Sequence, residues 1–174
     1  MNYKYLLLPL WPLAFLAACD DYLDTLPDNR AELDTEQNIA GMLVYAYPTT
    51  DFLLVTEFLS DNVDDYGENN PNADRFIEQV YKWADVTESD NESPERVWGS
   101  SYYAIAQANH ALEAIERLEV QGTLSPLMRA TKAEALLCRA YNHFVLVNMF
   151  CRNYNRQTSG TDPGIPYVTE PETY

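Results

Sequence analysis

Residues 132–150 constrain the fold more than any other stretch of this chain. They run from Lys132 to Phe150 without a proline or a glycine, and their large apolar side chains recur at helical spacing. Leu137, Tyr141, Phe144 and Asn148 fall at i, i+4, i+7 and i+11, and Glu134 and Ala130 extend the row backwards. The spacing predicts a long helix, and an apolar face this broad predicts burial against neighbours. Ser125-Pro126 supplies its start, a capping hydroxyl followed by a proline where the missing N–H costs nothing.

The same device, Ser93-Pro94, opens an earlier helix. Val97 or Trp98, then Tyr102, Ile105, Asn109, Leu112 and Glu116 keep its period, and Ile115 and Leu118 widen the face. Glu113 and Arg117 form a supporting i,i+4 pair. Gly122 ends it. Two long helices joined by a short turn make an antiparallel αα-hairpin, so the predicted fold class is all-α. Two shorter helices are expected ahead of the hairpin. Asp34 or Thr35 caps the first, whose buried row is Ile39, Leu43 and Ala46, with Met42 and Tyr45 beside it; Pro48 stops it. The second spans Asp51 to Leu59, with Phe52, Val55 and Leu59 on one face.

Residues 60–92 carry turn and charge signals and read as a long loop, with Phe76 to Trp83 an extended or irregular segment. A loop of this length inside a compact domain is functional or disordered. Here aromatic rings alternate with acids, amides and a guanidinium. Asp61, Asp65, Tyr66, Arg75, Tyr81 and Trp83 form the mix a sugar site needs: ring faces for a pyranose, and polar groups for its hydroxyls. The competing reading is that Tyr81 and Trp83 pin the loop onto the helices. No calcium loop is present, because Asp61-Asn62-Val63-Asp64-Asp65-Tyr66-Gly67 lacks the EF-hand pattern. A solvated acidic loop is the expectation.

Other reactive residues do not assemble. His110 and His143 lie on different helices with no His-Glu-x-x-His motif, and read as structural or surface groups. Glu134 and Arg139 stand about 140° apart around their helix, so each bonds a neighbouring element rather than the other. On one helix Cys138 and Cys151 are separated by about 20 Å, too far for a disulfide. Both read as small buried hydrophobes, and no metal spacing surrounds them. No cofactor is expected. The net charge of −16 repels phosphate backbones and anionic lipid, which excludes nucleic acid as a partner and leaves neutral ligands open.

The N-terminus reads as an export signal over residues 1–18: Lys4, an apolar run from Leu6 to Leu16, then Ala17-Ala18. The run is too short to span a bilayer. Leu16-Ala17-Ala18-Cys19 matches a bacterial lipobox, making Cys19 the lipid-attachment residue and the anchor the sole membrane contact. Residues 19–33 then form a tether, and 34–174 the folded domain.

Four phrases carry a resemblance. Glu134-Ala135 is followed by Arg139-Ala140-Tyr141-Asn142-His143-Phe144, then Leu146-Val147 and Phe150. Before it come Leu59-Ser60-Asp61-Asn62-Val63 and the row Trp98, Tyr102, Ile105, Asn109; after it comes Gly164-Ile165-Pro166-Tyr167-Val168. Together they resemble the SusD/RagB family of nutrient-binding outer-membrane lipoproteins. Many members have Gly where this chain has Cys151. The resemblance implies a surface lipoprotein, not an enzyme, that binds an oligosaccharide and works with a SusC-like TonB-dependent transporter in nutrient uptake. It implies export to the cell surface, with Asp20, Asp21 and Asp24 after the lipid cysteine. It places part of the glycan site in the loop ahead of Trp98 and turns the helix pair toward the transporter. It also implies TPR-like hairpins in an α-superhelical fold of which this chain is an incomplete, N-terminal part, marginally stable alone because repeats need neighbours. Ala140-x3-Phe144 matches a TPR second helix, but the first helix lacks that repeat's signature. Two other functions stay open: a TPR-like scaffold without a sugar ligand, and a glycosidase, for which no carboxylate pair is singled out.

Overall fold

The computed structural model describes residues 33–71, 74–88 and 92–171; the leader, the lipobox and most of the tether lie outside them. Five α-helices follow in order: α1 Glu36–Met42, α2 Leu53–Phe58, α3 Arg75–Tyr81, α4 Pro94–Gln121 and α5 Pro126–Phe150. No strand occurs among the described residues, and the fold is all-α.

The α4/α5 hairpin is the frame. Ser93 and Ser125 cap its helices as their Ser-Pro pairs predict, accepting from the amides of Arg96 and Met128. Ser125 also donates to Glu36 at 2.8 Å, tying the start of α5 to α1. Along α4 the inward positions are small, with Ala104, Ala108, Ala111 and Ala114 all buried. These alanines let α1 and α5 approach closely. Ile39, Leu43 and Ala46 fill the gap, packing with Ile115 of α4 and with Met128, Ala135 and Cys138 of α5. Thr35 caps α1, accepting from Asn38, and after Met42 the chain tightens into a 3-10 turn over Leu43–Ala46. The predicted row thus stays buried although the helix changes type. Cys138 is buried and Cys151 half-buried, both as free thiols.

Two expectations are corrected. Residues 75–81 are helical, not extended. Phe76 and Val80, one turn apart, pack on Val55 of α2 and form a second cluster with Leu59, Val86 and Met149. An i,i+4 apolar pair with a surface to bury it against outweighs the surrounding turn signals. The second correction concerns α5. Its buried residues are Met128, Thr131, Ala135, Cys138, Asn142, His143, Val145 and Leu146. The row of large residues points the other way: Leu137 is 69% exposed and Phe144 65%, and Tyr141 and Asn148 are exposed with them. The helix is apolar on both sides, and its smaller side has the geometry to meet the alanine row of α4.

Candidate functional site

The loop after α2 and the helix α3 enclose an open depression of about 740 Å³. Asp64, Asp65, Tyr66, Gly67 and Glu68 form one wall; Ile77, Glu78, Tyr81 and Lys82 form the other. The loop is shaped locally. Asp65 accepts from the Gly67 amide at 2.8 Å, an Asx-type turn, and Gly67 adopts φ +61°, where a Cβ would be strained. This bend leaves the Tyr66 ring 72% exposed. Glu78 bonds Lys82 one turn on and holds its ammonium above the usual lysine range.

The structure brings together three of the six candidates. Asp65, Tyr66 and Tyr81 line the depression. Asp61 is exposed outside it. Arg75 faces away and pairs with Glu88 at 3.5 Å. Trp83 does not pin the loop; it is 74% exposed. Its backbone is unusual, with φ 53°. The Trp83 amide bonds Val80 O and the Ala84 amide bonds Gln79 O, closing a Schellman motif with tryptophan in the left-handed position that glycine usually takes. That conformation costs a non-glycine residue about 1–2 kcal/mol. Gln79 then ties down the outgoing chain by exchanging two hydrogen bonds with Thr87.

A second concavity, also about 740 Å³, lies between residues 46–53 and the hairpin. It is apolar, lined by Phe52, Leu53, Val97, Leu137, Tyr141 and Val145. Tyr47 donates to Glu134 at 2.7 Å across it, which raises the phenol's pKa above the usual range. Burial raises the Cys138 thiol. Asn142 bonds the Cys138 carbonyl through Nδ2, while its buried Oδ1 has no protein partner. Thr49, Thr50, Asp51, Ser101 and Asn142 add polar groups to the lining, but the surface is mainly apolar, as protein-contact faces are.

Arg139 and His143, which read from sequence as structural groups, hold the C-terminal segment. Arg139 donates to Asn109 Oδ1 and to Thr169 O, both at 3.0 Å. Asn109 donates to the carbonyls of Val168 and Glu170, and Tyr102 to that of Pro166. The signal is present in the four-residue spacing of Arg139 and His143, but their partner segment lies some thirty residues away.

The fold is an all-α frame carrying an aromatic, acid-lined depression. Among the described residues no cluster of His, Cys, Asp or Glu could hold a metal ion. The SusD-like family model, described as starch-binding and associating with the outer membrane, matches residues 21–174. The chain belongs to this family, and membership implies carbohydrate binding in association with the outer membrane. No curated protein and no solved structure matches it.

Proposed function

We propose that this protein captures oligosaccharides at the bacterial surface and delivers them to a SusC-like TonB-dependent transporter, as a lipoprotein anchored through Cys19 and without enzymatic activity of its own. The observation that carries the reading is the depression beside α3, in a chain of this family. Tyr66 and Tyr81 offer ring faces for a pyranose, and Asp64, Asp65 and Glu68 offer acceptors for its hydroxyls. Tyr81 is half-buried, and Trp83, two residues on, is an exposed ring outside the depression's lining. The site is open, which suits a polymer end or chain better than an enclosed monosaccharide. The exposed row Leu137, Tyr141 and Phe144 is the face we assign to the transporter.

No helix among the described residues is long and apolar enough to cross a membrane; in this reading the attachment is the lipid on Cys19. Radiolabelled palmitate incorporation that persists in Cys19→Ser would overturn the anchor. Titration calorimetry with starch-derived oligosaccharides tests the ligand. The apolar face on α5 also favours a second reading, a scaffold lipoprotein without a sugar. A glycan array separates the two, since a scaffold retains no glycan.

A further inference from the structure

Residues 164–170 cross the α4/α5 hairpin as a strap, and its main chain is held by side chains. Tyr102, Asn109 and Arg139 donate to the carbonyls of residues 166, 168, 169 and 170. His143 makes the one contact of the opposite polarity. Its Nε2 lies 3.1 Å from the Val168 amide nitrogen, and its Nδ1 lies 2.9 Å from the Arg139 carbonyl oxygen. A carbonyl only accepts and an amide N–H only donates, so these partners fix one state of the ring: neutral, with the proton on Nδ1 and a lone pair on Nε2.

We propose that His143 is a proton-controlled latch for the 164–170 strap. A second proton could go only onto Nε2, where it would face the Val168 N–H. The hydrogen bond would become a contact between two donors, on a residue that is 6% exposed, and the imidazolium would lack an acceptor. The groups around the ring add to this. On α5 the Arg139 cation stands one turn away. From α4 comes Tyr102, whose ring centre is 6.4 Å from the imidazole and whose phenol burial holds protonated, with Cys151 beside it. The strap contributes Tyr167, with its ring 4.6 Å away; Glu170 is held there through its main-chain carbonyl. The Tyr167 face attracts a cation, but it does not restore the lost acceptor. No ion pair joins His143 to a carboxylate among the described residues.

The closed strap therefore binds one proton fewer than the open one. Closure is favoured while the ring is neutral and weakens as falling pH adds the second proton. Opening frees Tyr102, Asn109 and Arg139 together, because each reads the same short stretch.

Amide hydrogen exchange on the full chain tests this, with each rate referenced to its intrinsic value between about pH 8 and pH 5.5, a window spanning the histidine range. The expected result is a protection factor at Val168 that drops about tenfold per unit below that range, while Ile105 and Ala108 of α4 keep theirs. In His143→Gln, which carries no titrating proton, Val168 protection is expected to be independent of pH. Constant protection at Val168 in the unsubstituted chain overturns the proposal, as does a fall shared equally by Ile105, which would mark global unfolding. A wild-type-sized drop in His143→Gln overturns it too. If that variant does not fold, the comparison of Val168 with Ile105 decides alone.

Discussion

Replacing Leu146 and Leu137 by alanine, one at a time, separates the two faces of α5. Leu146 is 0% exposed and Leu137 69%, and they lie nine residues apart on one helix. Truncating a fully buried leucine removes its transfer energy and leaves a cavity, about 2–5 kcal/mol in all. At Leu137 only about a third of the side chain is out of water. The loss is then about a third of a 2–3 kcal/mol burial term, or ~1 kcal/mol before alanine's better helix propensity offsets a few tenths. For a domain of this size each kcal/mol moves Tm by about 2–4 °C. Leu146→Ala should lower Tm by roughly 5–15 °C and Leu137→Ala by ~2 °C or less, on the same conversion. Thermal unfolding followed by helical circular dichroism measures both shifts, and urea titration with unchanged m-values confirms comparable unfolding. Equal losses would refute the assignment, because they would mean that the row Leu137, Tyr141 and Phe144 is covered in the isolated chain.

The caps give a graded pair. Ser93→Ala removes one bond to Arg96 and should cost about 1 kcal/mol. Ser125→Ala also removes the bond to Glu36 and should cost about 2 kcal/mol, read as a larger fall in urea midpoint. Tyr47 provides an alkaline test. Glu134 raises its folded pKa, so its contribution is full below the unfolded value of 10.0 and is lost as pH rises above it. The stability difference between the unsubstituted chain and Tyr47→Phe should shrink above about pH 10, by a small amount because the ring is half exposed and water screens the pair. A difference that stays flat or grows with pH would contradict the Tyr47–Glu134 bond.

Much of the hairpin is legible in the sequence because its signals are local. Ser-Pro at 93–94 and 125–126 marks both starts, Gly122 marks the turn, and the spacing of Ile39, Leu43 and Ala46 marks the third layer. The direction of α5 is not legible in this way. With apolar residues on both sides, periodicity favours the bulkier row, whereas packing favours the side that fits the alanines of α4. The α3 helix is hidden for a related reason. Seven residues among turn formers carry a weak helical signal, and the surface that buries Phe76 and Val80 comes largely from distant residues such as Val55 and Met149. At the candidate site, composition singles out the loop but not its geometry. Asp65, Tyr66 and Tyr81 converge because of a bend at Gly67 and the course of α3, while Arg75 is drawn off by Glu88. The strap contacts of Arg139 and His143 depend on chain some 25–30 residues downstream, which no local pattern reveals.

The most direct test of glycan capture is calorimetric titration of the full chain with starch-derived oligosaccharides, beside Tyr66→Ala and Tyr81→Ala. Each ring stacked on a sugar should contribute on the order of 1 kcal/mol, the scale of other aromatic face contacts, so each variant should weaken binding by about fivefold or more with the fold intact. Saturable binding to the unsubstituted chain, reduced in both variants, is the predicted result. Binding that both variants retain in full would move the site away from this depression, and no binding by the unsubstituted chain would contradict glycan capture by this protein.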